Sequence, residues 1–331
     1  MQNNTMGIGA ALLAALFWAI ATRMFSKLGK TLNPAGLNSV KSILAVLLLL
    51  LTLAGRSLLT GQSWINLQTP EFIFLAVSGV LGIGIGDTAY FGAINRLGPR
   101  QTLVLDAAAP IMTTILAWIV LQERLTPMVF VGMAIATAGI TWTLSEQTSA
   151  PLVDPSQSQP SFTVKLQGIG WGMLSALSQS SGVVVARRAL VMGDVDPLES
   201  ALVRLVAGSA AAVAIATLLR FKTPTSQPPP TPSTAIQSIS IQQTFKNWRT
   251  NKAVFALGIQ LLMATILGTY LGIWLQQTAL KFTLAGVAQT CLATSPIFIL
   301  PILYLSGERL SFRAIAGALV TVCGIILLVQ N

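Results

Sequence analysis

The sequence predicts an all-α integral membrane protein with ten transmembrane helices, and its composition is the first observation behind that prediction. Of its 331 residues, 53% are hydrophobic and only 9% are charged, and the mean hydropathy is +0.72. Soluble domains carry about 25% charged residues, so this chain has too few to cover a soluble surface. Intrinsic disorder is also excluded, because it requires low hydrophobicity together with high charge.

Apolar stretches that are long enough to cross a bilayer are the second observation. A transmembrane helix needs about 20 consecutive, mostly apolar residues. Lys41 and Arg204 lie inside two of these stretches. We expect each to lie about one turn inside its helix, where it either snorkels to the interface or faces a cavity. The predicted spans are residues 5–22, 37–54, 72–95, 101–121, 127–144, 166–186, 200–219, 253–280, 285–305 and 314–329.

Two polar, proline-containing segments interrupt the spans. Residues 145–165 are predicted to form a linker near the midpoint, and residues 221–250 are predicted to form a Pro-rich loop. Segments of this composition do not pack as membrane-spanning elements. The predicted organisation is therefore a first repeat at residues 5–144 and a second repeat at residues 166–330, each with five helices.

The residue inventory excludes several kinds of chemistry. The chain has no histidine, which removes His-ligated metal sites, Ser-His-Asp triads and histidine proton relays. Its two cysteines, Cys291 and Cys323, lie in apolar runs and are expected to be buried thiols. The sequence contains no phosphate-binding P-loop motif. We expect no metal, no cofactor and no enzymatic activity, and the scattered basic residues do not indicate a nucleic-acid partner.

Repetition of the same motifs in both halves is the third observation. The Gly-Ile-Gly of residues 7–9 recurs at residues 168–170, and residues 93–110 align with residues 279–296 without a gap. Lys41 aligns with Arg204. Because five spans per half is an odd number, the second copy enters the membrane from the opposite face and forms an inverted-topology repeat. Such a repeat supplies two equivalent gates, which is what alternating-access transport requires.

These residues resemble the EamA family of the drug/metabolite transporter (DMT) superfamily, in the ten-helix type with two EamA repeats. The resemblance covers nearly the whole chain. It implies a secondary transporter for small organic solutes, with a cavity between the halves. A Glu-Arg-Leu turn occurs at residues 123–125 and again at residues 308–310. We expect its charged residues to be structural, because they place charge at helix ends and can form an ion pair across the turn. The motif residues are Pro110, Glu123 and Arg124 in the first half, and Pro296, Glu308 and Arg309 in the second.

Asp87 and Asp106 are the only acidic residues well inside the predicted spans. An ionised carboxylate is costly in hydrocarbon, so each must face a wet cavity or a partner. We consider both as candidates for proton coupling or for binding a substrate amine. The alternative is a structural hydrogen bond or an ion pair, for example with Lys41. The aligned positions in the other half are not acidic: Thr269, by a looser alignment, and Leu292.

Polar and aromatic side chains inside the spans are candidates for lining a substrate cavity. Tyr270, Trp274 and Gln277 share one face of the eighth span. Trp18 could stack on an aromatic or cationic ligand. The alternative for the whole set is packing or hydrogen bonding between helices. The candidates are Trp18, Lys41, Tyr90, Gln179, Arg204, Tyr270, Trp274, Gln277, Gln289 and Thr294.

The predicted function is a permease that moves a small organic metabolite, such as an amino acid, across the plasma (inner) membrane by alternating access. A proton gradient is a candidate driving force. The alternatives are a multidrug exporter of the same superfamily, a membrane-embedded enzyme, and a non-transport scaffold or sensor that uses the Pro-rich loop. Oligomeric state is open. Orientation is open as well, because the distribution of Lys and Arg places both termini outside the cytoplasm whereas the resemblance implies cytoplasmic termini.

Overall fold

The protein is a bundle of α-helices in a computed structural model that describes residues 2–28, 34–61, 66–146, 162–222, 252–305 and 311–330. Throughout these residues every regular element is helical. The all-α membrane fold predicted from composition is confirmed. Most of the predicted linker and of the Pro-rich loop lies outside the described residues, as do Glu308 and Arg309.

Each half contributes a matching series of helices. The first half contains α1 (Gln2–Leu28), α2 (Pro34–Thr60), α3 (Thr69–Gly79), a π-helical segment (Val80–Gly86), α4 (Asp87–Asp106), α5 (Ala109–Leu121) and α6 (Pro127–Glu146). The second half contains α7 (Phe162–Met192), α8 (Pro197–Lys222), α9 (Lys252–Thr265), a second π-helical segment (Ile266–Leu271), α10 (Gly272–Phe282), α11 (Ala285–Leu292), α12 (Ser295–Leu305) and α13 (Phe312–Val329).

Nine helical stretches of the described chain are long and apolar enough to cross a membrane. The predicted sixth span corresponds to α7, which has 31 residues but carries several serines and a glutamine. These polar residues lower the mean hydropathy of α7 below that of the nine other stretches. A tenth span at α7 therefore remains a prediction. One detail of the sequence interpretation is wrong: Cys291 is buried as expected, but Cys323 is exposed on the bundle surface.

The predicted fourth and ninth spans are broken helices rather than continuous ones. A turn at Ala107 and Ala108 separates α4 from α5, and a turn at Ala293 and Thr294 separates α11 from α12. Pro110 and Pro296 each occupy the second position of the helix that follows. Proline is tolerated there because its missing N–H has no partner in the first helical turn anyway. The aligned prolines thus restart the helix at the same point in both halves.

The two π-helical segments also occupy aligned positions. Val80 and Ile266, which begin them, have the same spacing as Ala93 and Ala279. This alignment places Ile273, not Thr269, opposite Asp87, which corrects the looser match drawn from the sequence. The conclusion that the acid has no acidic counterpart is unchanged.

Two aligned glycines, one at the end of each π-helical region, contact aligned side chains of the opposite half. Gly86 lies against the side chain of Gln179 on α7, and Gly272 lies against the indole of Trp18 on α1. A Cβ atom at Gly86 would come within 3.0 Å of the Gln179 side chain, so these glycines permit the close approach of the helices. Gln179 and Trp18 therefore occupy equivalent positions, although their chemistry differs.

Helices α6 and α13 pack closely through glycine. A Cβ atom at Gly132 would lie 3.0 Å from the carbonyl oxygen of Gly324, and one at Gly139 would lie 2.6 Å from the carbonyl oxygen of Gly317. Since the start of one helix meets the end of the other, the pair runs antiparallel. This is the relation that an inverted-topology repeat requires of its two last helices.

Candidate functional site

The two acids of the spans lie near each other inside the bundle. Asp87 directly follows Gly86, which lies against the side chain of Gln179, and the Nε2 atom of Gln179 also contacts Asp106 Oδ1 at 3.4 Å. The charges of Lys41 on α2 and of Asp106 both act on Asp87. Tyr90, one turn after Asp87, lies within electrostatic range of both acids. The structure thus brings together four residues that the sequence singled out separately.

The side chains of this acid cluster remain accessible although they lie within the membrane-crossing stretches. Asp87 lies far from either end of the membrane-crossing stretch Thr69–Leu97, yet its side chain is exposed. Lys41, Tyr90 and Asp106 around it are half-buried. A carboxylate at this depth needs water or a charged or hydrogen-bonding partner, because exposure to hydrocarbon would be costly.

Gln179 joins the acid cluster to the second half of the chain. Its Nε2 donates to Asp106 Oδ1 over 3.4 Å and to Ser175 Oγ over 3.2 Å. Ser175 in turn donates to the carbonyl oxygen of Gly86 over 3.0 Å. The π-helical geometry perturbs the regular helix hydrogen bonding, and a serine of α7 bonds to a carbonyl there. Helix α7 is therefore hydrogen-bonded to the segment that positions Asp87.

The aromatic candidates are engaged in contacts between helices. Trp18 Nε1 donates to the carbonyl oxygen of Gly268 over 2.7 Å, within the second π-helical segment. The hydroxyls of Thr52 and Tyr270 are hydrogen-bonded at 2.8 Å, and the rings of Tyr270 and Trp274 lie 6.1 Å apart. These contacts support the packing interpretation for Trp18 and Tyr270.

The two aligned basic residues have different surroundings. Lys41 is half-buried, with its Nζ 5.7 Å from the centre of the Phe25 ring. Arg204 is only 4% exposed, so it does not snorkel to the interface. Nearby, Gln277 is fully buried and its Oε1 accepts a hydrogen bond of 2.9 Å from Ser200 Oγ.

Gln289 and Thr294 lie at the break between α11 and α12. Thr294 is buried, and its Oγ1 donates to the carbonyl oxygen of Cys291 over 2.6 Å. Gln289 Oε1 is buried and has no hydrogen-bond partner in the described parts of the chain. Thr294 therefore stabilises the turn before Pro296, while Gln289 retains a free acceptor.

Glu123 makes long-range contacts that its local motif does not reveal. It follows Gln122, whose left-handed backbone (φ 56°) ends α5. Its Oε1 pairs with Arg187 Nε at 2.9 Å, and its Oε2 accepts from the N–H of Ala285 at 2.9 Å. The structure thus pairs Glu123 with another helix rather than across its own turn, where Arg124 is exposed.

Arg187 extends this network to the end of α10. Its Nη1 donates to the carbonyl oxygens of Leu280 and Lys281 over 2.5 and 2.7 Å. A cation at a helix C-terminus and a carboxylate at the N-terminus of α11 both complement the helix dipoles. Glu123 and Arg187 together therefore connect the turn after α5 to α7, α10 and α11.

A second ion-pair group lies at the same end of the bundle. Arg56 at the end of α2 pairs with Asp196 at 2.5 Å and with Glu199 at 3.0 Å. Asn4 is hydrogen-bonded to Thr283, between α10 and α11. We call this end the terminal face and define it by Asn4, Arg56, Glu123, Arg187 and Thr283. Its ion pairs join the first half of the chain to the second.

A model of the EamA-like transporter family matches residues 5–145 and 166–330. The chain belongs to the EamA family. Its EamA matches cover both halves and leave out only the middle of the chain and its extreme ends. Membership makes the protein a multi-pass integral membrane transporter of the DMT superfamily, for which the plasma membrane is the typical location.

Two further likenesses agree with this EamA assignment. A protein of Sinorhizobium sp named "Uncharacterized transporter in cobO 3'region" is 30% identical over 129 residues, which is 37% of this chain and 91% of that protein. A solved structure described as "Crystal structure of protein" has a TM-score of 0.68 at 15% identity. It covers 97% of this chain and 95% of that chain, and it supports the fold alone.

Sequence reasoning missed several functional candidates of this EamA protein. Arg56, Ser175 and Arg187 are not among the residues that the sequence singles out. One feature does point to Arg187, since an Arg-Arg pair at residues 187–188 directly follows the predicted sixth span. Nothing in the sequence indicates which of the two arginines meets Glu123.

Proposed function

We propose that this EamA protein is a secondary transporter that moves a small organic metabolite by alternating access between two inverted five-helix repeats. The observation that carries the proposal is the exposed carboxylate of Asp87 inside the bundle, surrounded by Lys41, Tyr90 and Asp106. A wet polar pocket at the depth of the spans is where transporters of this architecture bind their solutes.

In this proposal the ion pairs of the terminal face form the gate on that side of the bundle. Three ion pairs between described residues join the halves at the terminal face, from Arg56 to Asp196 and Glu199 and from Glu123 to Arg187. Transport requires these pairs to separate when the cavity opens the other way. The aligned helix breaks before Pro110 and Pro296 are the points at which we propose that the helices bend when the cavity changes the side to which it opens.

Asp87 and Asp106 are the groups that couple transport to a proton gradient in this proposal. The two carboxylates act on each other electrostatically. Like charges in one pocket repel each other, and in this proposal proton binding by the pair is the coupling step. Gln179, which donates to Asp106, connects that protonation state to α7 of the other half.

The test is flux in proteoliposomes that contain the purified protein. Radiolabelled amino acids, nucleosides, organic acids and a cationic dye would be offered with and without an imposed pH gradient. We expect at least one solute class to accumulate and to exchange across the membrane. Absence of uptake, exchange and counterflow for every class would contradict the transporter proposal.

Substitution of the acids tests coupling separately. We expect Asp87→Asn and Asp106→Asn each to lose gradient-driven accumulation while retaining exchange. Asp194→Asn is the matched control, because Asp194 is an exposed acid outside the spans that pairs with Lys281. If both cavity variants accumulate solute as the control does, proton coupling through these acids is wrong.

A further inference from the structure

Arg204 is a buried cation that has no ion-pair partner in the described parts of the chain. It lies two turns into α8, and its side chain is 4% exposed. Neither Nε nor Nη1 has a hydrogen-bond partner, and no acid lies within ion-pair distance, among the residues that the structure describes. A guanidinium that is removed from water without a counter-ion is strongly unfavourable, so the position requires an anion in at least one functional state.

The described helices around Arg204 pack closely against its guanidinium and supply no counter-charge. A Cβ atom at Gly82 would lie 3.4 Å from Arg204 Nη2, and Gly182 packs directly on Gly82. Glycine on both neighbouring helices presents backbone rather than side chains to this part of the site. The acid cluster is about one helical turn away, since Gly82 and Gly86, and likewise Gly182 and Gln179, are neighbours on their helices.

Gln277 adds a second free donor about one turn of α8 from Arg204, at the position of Ser200. Its Oε1 accepts from Ser200, while its Nε2 is buried and has no hydrogen-bond partner within the described residues. Ser200 precedes Arg204 by four residues, so both lie on one face of α8. The unsatisfied groups of Arg204 and Gln277 are two guanidinium nitrogens and one amide nitrogen, and all three are donors. A ligand that satisfies them must present acceptors.

We infer that Arg204 and Gln277 form the binding site for a carboxylate group of the transported solute. The inference rests on the proposed transport function and specifies the chemical class of its substrate. A planar guanidinium binds a carboxylate through two parallel hydrogen bonds, and the Gln277 amide adds a third donor. A single buried cation balances a monovalent anion, whereas a phosphate dianion would leave an uncompensated negative charge in the bundle.

The location of the site fits a solute that passes through the bundle. Arg204 and Ser200 lie in the half of α8 nearest the terminal face, directly inside the ion pair from Arg56 to Glu199. Because the ion pairs of the terminal face lie outside this site, a solute in the proposed cycle would reach it from the side of the acid cluster. When the terminal face opens, the same site becomes the last contact before release.

Thermal unfolding of the purified protein tests the inference without requiring transport. The probes are three matched pairs at equal millimolar concentration and ionic strength: lactate and lactamide, alanine and alaninamide, and benzoate and benzamide. Sodium chloride and inorganic phosphate complete the set. We expect at least one carboxylate to raise the Tm of the wild-type protein above that of its amide, because a ligand that binds only the folded state stabilises it.

Variants of Arg204 separate binding from structure. We expect Arg204→Met to raise the ligand-free Tm by about 2–4 °C, since it removes an unpaired buried charge, and to abolish the carboxylate effect. Arg204→Lys should retain only part of that effect, because an ammonium cannot form the two parallel bonds. Arg188→Met, the loss of an exposed arginine on α7, should change neither measurement.

Three results would overturn the inference. A destabilised Arg204→Met protein would assign the arginine a structural role. Equal stabilisation by a carboxylate and its amide would show that charge is not recognised, and equal stabilisation by chloride or phosphate would show a general anion site. Flux of neutral or cationic solutes alone, unaffected by Arg204→Met, would reject the carboxylate while leaving the transporter proposal intact.

Discussion

Replacing Glu123 by glutamine is expected to open the terminal face. Glu123 makes two hydrogen bonds as a carboxylate, to Arg187 Nε and to the N–H of Ala285, each 2.9 Å long. Both partners of the ion pair are little exposed, at 13% for Arg187 and 12% for Glu123, so solvent screens the pair only partly. Glutamine keeps one acceptor oxygen but loses the charge, and it cannot satisfy both donors as a carboxylate does.

The size of this effect follows from the bonds that are lost. A hydrogen bond to a charged group contributes about 1.5–3 kcal/mol, so Glu123→Gln should remove about 2 kcal/mol from the closed state. Since about 1.4 kcal/mol corresponds to a tenfold change in an equilibrium constant, the population open at the terminal face should rise roughly 30-fold. The same loss is expected for Arg187→Gln, and the double variant should lose less than the sum because the two residues share one contact.

Accessibility of an introduced cysteine measures this opening. Thr283 is buried at the terminal face, so Thr283→Cys, in a protein whose native Cys291 and Cys323 are replaced by serine, reports its exposure. We expect a membrane-impermeant maleimide to label this cysteine faster in the Glu123→Gln protein. Arg124→Gln is the matched control, because that arginine is exposed on the same turn. Equal labelling rates in parent, control and Glu123→Gln would refute the gating role of this ion pair.

Three further predictions concern contacts of the helices and are checked by thermal unfolding. Gly139→Ala should destabilise the fold by about 1–3 kcal/mol, because its Cβ would lie 2.6 Å from the Gly317 carbonyl oxygen and force α6 and α13 apart. Gly170→Ala should instead stabilise it by up to about 1 kcal/mol, since nothing lies within 4 Å of its Cβ and alanine is the better helix former. Tyr270→Phe should cost about 1 kcal/mol through loss of the hydrogen bond to Thr52, and Thr52→Val should add little to it. Changes of the same sign for both glycines, or fully additive costs for the hydroxyl pair, would contradict these expectations.

Prediction of the fold succeeded where the signal is local. Apolar stretches, proline positions and duplicated glycines each reflect a short segment in its own environment, and they located the helices and the matching motifs. The helix breaks inside the fourth and ninth predicted spans were missed. Hydropathy does not reveal these breaks. An apolar stretch has the same mean hydropathy whether its helix is continuous or broken before Pro110 and Pro296.

Prediction of the site identified residue types better than partners. Asp87 and Asp106 were selected because acids are costly in hydrocarbon, and the structure places them together with Lys41 and Tyr90. Glu123 was selected from its motif, but its pairing with Arg187 was not foreseen. A motif of adjacent residues suggests adjacent partners, whereas the actual partner is 64 positions away along the chain.

By itself, the sequence determined that this chain is an EamA-type membrane protein with two related halves, since composition and repetition are properties of the chain before it folds. Only the tertiary structure decided which side chains meet. It brought Asp87 and Asp106 to the side chain of Gln179, joined Glu123 to Arg187, and left Arg204 without a counter-charge among the described residues. The physical reason is that electrostatic interactions and burial depend on distances between helices. The order of residues along the chain does not specify which helices become neighbours.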